Sequence, residues 1–390
     1  MRLAVHFITV FRMLLSNLHS LFFGKKKTAV VRLLPKGASQ GTVVLSYLTW
    51  PFIDGWDSPK ARGHTNAFEV VAIAETYQEF GYTVEIIDHD NEDYVPPRDC
   101  RIAIDLHGQL ERWSPFLPKG CLRILHATGA HWLLANQSEL SRLASIRDRK
   151  GVVLDPRRQS APSRSVALAD HIVVVGNEYT MKSFAFAGKP ITRVPISSAY
   201  EFLLTEKKDF ACAKKKFLWI GSYGMAHKGL DLVLDAFAQM PELSLTVCGR
   251  PEKEDDFFSL YEKELLQTPN IVFQGWVDMT SAEFMEIAKN HAAIIYPSSS
   301  EGGGGAVIHC MHAGMVPLCT EEASIDLNDF GMLISQGTVE AVMQVARSFS
   351  VLSEEEVARR SASSVAHVRR HHTRECFQKN YRHFVKDLLG

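Results

Sequence analysis

The stretch SSSEGGGGAVIHCMHAGMVPL, residues 298–318, sets one carboxylate, Glu301, ahead of four consecutive glycines, with a histidine eight positions beyond it. Glycine costs a helix interior about 0.8–1.0 kcal/mol relative to alanine, yet an apolar, helix-like pattern begins at this point. Four glycines together suit a strand-to-helix turn where a ligand touches the backbone. Without Cβ atoms, the amides of Gly302, Gly303, Gly304 and Gly305 can turn toward an anion at the positive end of the helix. The competing reading is a tight turn made for packing alone.

Outward from this stretch, strands and helices alternate. AAIIYPS leads into it as a strand, and upstream lie KKFLWIGSY, LSLTVCGR and NIVFQGWV as strands, with helices at GLDLVLDAFAQM and around SAEFMEIAKN. In the first half, GTVVLSYL, TVEIID, CRIAIDL, LRILHAT and DHIVVVGN read as buried strands, and ARGHTNAFEVVAIAETYQEFGY as a helix ending near Gly81. Near-continuous apolar strands separated by helices indicate parallel sheets covered on both faces. Between the halves, RVPISSAYEFLLTEKKDF turns polar and charged after Pro195 and reads as an interdomain connection. The pattern predicts an α/β protein of two Rossmann-like, doubly wound domains facing across a cleft. The expected boundaries are an amphipathic segment 1–30, a first domain 31–199, a second domain 200–372, and a last helix 373–390 returning to the first domain.

The second half holds a second glycine-containing loop, IGSYGMAHKGLDLVLDAF, in which Lys228 stands at the helix start. There its ammonium reaches a phosphate as a point charge, or is simply solvated. Two such loops in one parallel sheet open at its carboxyl edge, where ligands bind.

Bulk properties agree with a soluble globular chain. A length of 390 residues calls for two domains, and 46% hydrophobic with 22% charged residues is ordinary. A formal charge of -1 gives no global pull toward nucleic acid, which is not an expected partner. Seven scattered cysteines without a CxxC pair argue against a disulfide framework and fit a reducing, cytoplasmic compartment. Residues 1–27 place Phe7, Phe11, Leu14, Leu15, Leu18 and Phe22 at helical spacing before Lys25, Lys26 and Lys27. This segment reads either as an in-plane helix making peripheral contact with the inner face of a membrane, or as a helix packed on the first domain.

Three motifs, in order, carry a family resemblance. GSYGMAHKGLDLVLDAF, NIVFQGWVD and PSSSEGGGGAVIHCMHAGMVPL resemble the donor-domain signature of group 1 retaining glycosyltransferases of the GT-B architecture, over about residues 170–330. The resemblance implies that Glu301 contacts hydroxyls of the donor sugar. Where the family has a second glutamate for the nucleotide ribose, His309 stands. A bond to a charged group contributes roughly 1.5–3 kcal/mol and a neutral one about 0.5–1.5 kcal/mol, so ribose recognition is altered. Ser222 replaces the family's arginine after the first glycine, leaving Lys228, with Gly224 in the same loop, on the diphosphate. Arg250, in CGRPEKED, either reaches the phosphates or base or is a surface residue. In the first half, IDLHGQ matches the strand whose histidine, His107, meets the donor sugar. HATGAHW offers His126 and the better-placed His131, and RGHTN puts Gly63 and His64 across the cleft. The basic run RDRKGVVLDPRR faces an anionic lipid acceptor or is a solvated loop.

The implied activity is transfer of a hexosyl-type sugar from a nucleotide-diphosphate donor to a glycan or lipid-linked acceptor, with retention, in polysaccharide or glycoconjugate biosynthesis. Lys228 and the glycine amides stabilise the departing diphosphate, without a metal or other cofactor. Two alternatives stand beside it. Asp88-His89-Asp90 is a D-x-D that suits Mg²⁺ or Mn²⁺, and Ser222 with His309 suggests a catalytically silent GT-B subunit binding a glycan or a partner transferase.

Overall fold

A computed structural model describes residues 29–198, 200–201 and 208–390, so the amphipathic segment 1–27 lies outside the described residues. The first lobe is built on strands β1 (Val30–Leu33), β2 (Thr42–Tyr47), β3 (Thr83–Asp88), β4 (Cys100–Asp105), β5 (Leu122–Ala127), β6 (His171–Val175) and β7 (Ile191–Val194). The second uses β8 (Lys216–Ile220), β9 (Ser244–Cys248), β10 (Ile271–Gly275), β11 (Ala293–Tyr296), β12 (Val316–Cys319) and β13 (Met332–Leu333).

The first sheet runs β1-β3-β2-β4-β5-β6-β7 and is parallel except for β1, antiparallel to β3. The second runs β10-β9-β8-β11-β12-β13 and is parallel throughout. In the second sheet the strand order reverses between β8 and β11; in the first, between β2 and β4. Open parallel sheets bind ligands in the crevice outside these reversal points. The expected doubly wound GT-B architecture is the observed one. The strands β8, β9 and β11 hold the apolar runs read from the sequence, and Leu218, Leu245 and Ile294 are fully buried.

Six helices matter for the site: α1 (Thr65–Glu79), α2 (Trp132–Lys150), α3 (Leu230–Phe237), α4 (Gly305–His312), α5 (Glu354–His371) and α6 (Arg374–Leu389). Helix α5 opens with a serine cap: Ser353 Oγ accepts from the Glu356 amide at 3.2 Å, with Glu354, Glu355 and Glu356 in the first turn and Arg369 and Arg370 in the last. That charge order complements the helix dipole. The chain breaks at His372, and α6 lays Phe377, Tyr381, Phe384 and Val385 into the core of the first lobe beside Val70 and Tyr77. Each such buried side chain contributes roughly 1.5–3 kcal/mol over an exposed one.

Helix α2 was not expected. Its nineteen residues are too polar overall to show an apolar stripe, and RDRK, read as loop, is its last turn. Leu143, Ile146 and, just beyond, Leu154 pack into the core of the second lobe, so α2 spans both lobes. The connection also differs from its polar reading: Ile196, Ser197 and Ser198 are buried, and the Ser197 amide donates to Glu69 Oε1 at 2.8 Å.

Buried titratable groups set an acid sensitivity. Burial lowers His126, His291 and His309 from 6.5 to about 4. These rings stay neutral in the fold while the unfolded chain takes up protons, so their contribution is present above pH 6.5 and is lost as pH falls through 4. Burial raises Glu69 to about 7, against the Ser197 amide, and this contribution runs the other way: present below 4.5, lost as pH rises through 7. The lowered imidazoles, which also include His312 at about 4 and His372 at about 3, outnumber the raised carboxyls Glu69, Glu75 and Glu254, so the urea midpoint is expected to be lower at pH 4.5 than at pH 7. An equal or higher midpoint at pH 4.5 would contradict this balance.

Candidate active site

Strands β8 and β11 end side by side at the reversal point, and the loops after them carry Lys228 and Glu301. The Lys228 ammonium pairs with Glu301 Oε1 and donates to the Tyr296 hydroxyl at 2.9 Å, and Tyr296 in turn donates to Glu301 Oε1 at 2.9 Å. Each charged side chain is only 11% exposed. Burial pushes the Glu301 carboxyl up, but the Lys228 ammonium, the Arg158 guanidinium and His227 outweigh it and hold the group at about 2. Glu301 is therefore a carboxylate at any working pH. The His227 Nε2 lies 2.6 Å from the Ser300 carbonyl and so carries the proton, which anchors the loop one residue before Glu301.

The glycines after Glu301 have specific neighbours. A Cβ on Gly302 would overlap the Thr128 carbonyl of the first lobe, so the two lobes meet there backbone to backbone. Gly304 caps α4 at φ +50°, in the left-handed region. Gly303 and Gly304 are buried, close to Ile196 and Ile325, and Gly305 lies beside Ile196 and Thr65. Gly302→Ala is expected to cost about 1–3 kcal/mol through overpacking, measurable by urea denaturation; full retention of stability would mean the lobes separate freely here.

A cavity of about 550 Å³ lies between the lobes. His89, His107, Gln109, Arg112, His131, Trp132 and Arg158 line it from the first lobe, and His227, Glu301 and Gly302 from the second. His107 follows β4, its amide donating to Asp105 Oδ1 at 2.9 Å; enclosure in the cleft and then His89, whose ring is 5.4 Å away, lower its pKa. His131 caps α2, its Nδ1 accepting from the Leu133 amide at 3.4 Å, and packs against Phe184 and Phe186; burial lowers its pKa.

The structure thus brings Glu301, Lys228, Gly302, His107 and His131 together. The other candidates sit around this group. Gly303, Gly304 and Gly305 lie behind Gly302. Gly63 and His64 precede α1, whose first residue, Thr65, adjoins Gly305. His309 is buried on α4 and does not line the cavity. Ser222 is exposed, while the Gly224 and Met225 amides donate to the buried Glu254 carboxylate at 2.6 and 3.1 Å. Arg250 stacks over the exposed ring of Trp276 at 4.5 Å. Asp88 is engaged by Thr49, whose amide and hydroxyl donate to its two oxygens at 2.9 and 2.7 Å, so the first carboxylate of the D-x-D staples a loop.

Sequence reasoning missed Arg158, although it lies in the basic run that was singled out. The buried Glu139 of α2 accepts from the Arg157 and Arg158 amides at 3.0 and 2.9 Å and holds the loop in place. The Arg158 stem packs on Gly224, and its charge acts on Glu301 from across the cleft. Tyr296 and Trp132 were missed as well, because nothing in their local sequence separates them from core aromatics.

Residues 205–340 match the family described as glycosyl transferases group 1. The match spans most of the second lobe. Solved structures of glycosyltransferases share the two-lobed architecture over most of the chain. Sucrose-phosphate synthase from Thermosynechococcus elongatus aligns with a TM-score of 0.60 at 12% identity, covering 90% of this chain and 99% of that one. HepE from Anabaena, solved with UDP-glucose, aligns with a TM-score of 0.56 at 10% identity, over 89% and 100% of the two chains. TarM from S. aureus, solved with UDP, aligns with a TM-score of 0.50 at 10% identity over 72% of this chain, which spans only 54% of TarM. At these identities the likeness is one of fold. No curated protein sequence matches the chain. The Glu301 loop and the Lys228 loop fall within the matched span. His107, His131 and Arg158 come from the other lobe.

Among the described residues, no helix is long and apolar enough to cross a membrane.

Proposed function

We propose that this protein transfers a sugar from a nucleoside-diphosphate donor to a hydroxyl acceptor, with retention of configuration. The observation that carries the reading is the Lys228–Glu301 pair, held at the strand-order reversal with Glu301 on the wall of a cavity that His107 also lines from the other lobe. Donor binding separates the pair: the Lys228 ammonium turns to the diphosphate, and the Glu301 carboxylate accepts from hydroxyls of the sugar. As the glycosidic bond breaks toward an oxocarbenium-like state, negative charge grows on the leaving diphosphate. Lys228, and Arg158 in place of the cation that Ser222 does not supply, stabilise that charge. A donor phosphate oxygen takes the acceptor proton, so the step needs no base from the protein.

The cavity also supports a saccharide acceptor, free or lipid-linked. Trp132 offers an aromatic face, and Gln109, Arg112 and Ser160 supply polar groups around it. The proposed setting is glycan or polysaccharide assembly in the cytoplasm, without a metal cofactor.

The test is donor cleavage and transfer across a panel of nucleotide sugars, comparing the native chain with Arg158→Ala. The variant is expected to lose about tenfold or more in kcat/KM, one such donor contact being typically larger than a neutral hydrogen bond. Unchanged kcat/KM would exclude Arg158 from the diphosphate site.

One observation favours the silent-subunit reading. The Gly224 and Met225 amides are already occupied by Glu254, and Gly303 and Gly304 are buried, so few backbone donors face the cavity. Calorimetry with the same nucleotide sugars separates the two: the transferase reading requires binding of at least one donor, and failure of all of them would support the silent subunit.

A further inference from the structure

The end of α5 carries His367, His371 and His372 in the run HVRRHH, and the transfer chemistry uses none of them. Ligand atoms of His367, His372 and Asp326 all lie within 4.8 Å of one another. His372 is buried, and its Nδ1 is 2.9 Å from the Ile196 carbonyl, so Nδ1 carries the proton and Nε2 keeps its lone pair. The Nε2 of His367 is buried without a hydrogen-bond partner; its Nδ1 accepts from the Asn328 side-chain NH2 at 3.3 Å, and a half-turn of that amide presents its oxygen instead, which moves the proton to Nδ1 and leaves the Nε2 lone pair for a ligand. A ring N–H donated to an oxygen, with the other nitrogen open, is how metal-ligating histidines are held, because the outer bond sets the tautomer and raises basicity; His372 has this arrangement, and His367 takes it once the Asn328 oxygen faces Nδ1. Asp326 engages Arg193 through Oδ2 and keeps Oδ1 for a second partner. His371, one turn along α5 with its ring 4.9 Å from that of His367, is exposed and can swing in as a fourth ligand.

We propose that Asp326, His367 and His372 bind a divalent transition metal, of the zinc or cobalt type, at the crossing between the lobes and apart from the transfer site. Two imidazoles and one carboxylate suit these ions, whereas Mg²⁺ and Ca²⁺ take oxygen ligands. The site joins three parts of the fold. His367 and His372 belong to the end of α5, and Asp326 to the loop before β13. The first lobe enters through Arg193 and the Ile196 carbonyl. Ile196 also packs on Gly303 and Gly305, so a bound ion stiffens the crossing directly behind the glycine loop. The Arg193 guanidinium neutralises the carboxylate, so binding is weaker than at a closed site with four anionic or imidazole ligands.

The test uses the full chain, stripped with chelator and dialysed. Co²⁺ is titrated while its visible d–d absorption is followed, and Zn²⁺ by calorimetry. The expected result is uptake of one equivalent, displacement of Co²⁺ by Zn²⁺, and a raised thermal midpoint. His367→Ala and Asp326→Asn should each weaken binding by about tenfold or more, and His383→Ala, on the exposed face of α6, should leave it unchanged. His367→Gln keeps the side chain's bulk and serves if the alanine variant does not fold. Absence of stoichiometric uptake, or uptake undiminished in the His367 and Asp326 variants, would overturn the site.

Discussion

Glu301→Ala should lower turnover of the nucleotide-sugar donor by about 10²–10³-fold, the range found when a preorganised polar contact to a reacting centre is removed. The carboxylate is held ionised at about 2 against its own burial, and Lys228, Tyr296 and Ser298 fix its direction. Its removal deletes the acceptor for the sugar hydroxyls and leaves the Lys228 ammonium, only 11% exposed, without its carboxylate. Because Lys228 is assigned to the diphosphate, affinity for a nucleoside diphosphate lacking the sugar should change far less than turnover. Turnover and calorimetry together check this split. Native turnover in Glu301→Ala would remove the residue from the site, and a parallel collapse of diphosphate affinity would show that the pair acts only as a structural unit.

The second large effect lies in the contact between lobes. Asp231 of α3 is fully buried and meets two arginines of α2: Arg142 Nη1 at 3.4 Å and Arg149 Nη2 at 2.6 Å. Arg142 also donates to the Pro297 carbonyl at 3.1 Å, the first residue after β11 and the root of the Glu301 loop. Breaking a buried pair from one side leaves an uncompensated charge and costs about 3–5 kcal/mol. Asp231→Ala should therefore lose roughly that much in urea denaturation. By contrast, Arg347→Ala, which removes a half-exposed pair with Glu242, should change stability by about 0–1 kcal/mol. Similar values for the two variants would mean that water reaches the α2–α3 interface. Since Arg142 anchors the loop that carries Glu301, Asp231→Ala should also raise KM for the donor.

Much of the second lobe is legible in the sequence because its signals are local. An apolar run of four or five residues between turns specifies a buried parallel strand, as in KFLWI and AIIY, and those runs became β8 and β11. The glycine run and Lys228 declare the two loops at the reversal point. Two edge strands left little trace: Met332–Leu333 has two residues, and Val30–Leu33 is partly exposed along its length. Helix α2 was hidden for a different reason. Arg142, Arg149 and Lys150 are buried or half-buried through ion pairs with Asp231 and Asp235 of α3 and with Glu264, so hydropathy along α2 says nothing about which face is covered.

For the site, residue types and loop positions were readable, and partnerships were not. Glu301, Lys228, His107 and His131 follow from motif and strand end, but the Arg158 stem on Gly224 depends on how α2 crosses between the lobes. Likewise the commitment of the Gly224 amide to Glu254 joins residues thirty positions apart. The sequence by itself determined two parallel sheets, their order of motifs and the chemistry offered at their carboxyl edges, because periodicity and glycine content act over a few residues. Only the tertiary structure decided which glycines face the cavity, which cation meets Glu301 and where the lobes lock. Those outcomes depend on close packing and on charges brought together from distant segments, and neither is written in any local stretch of the chain.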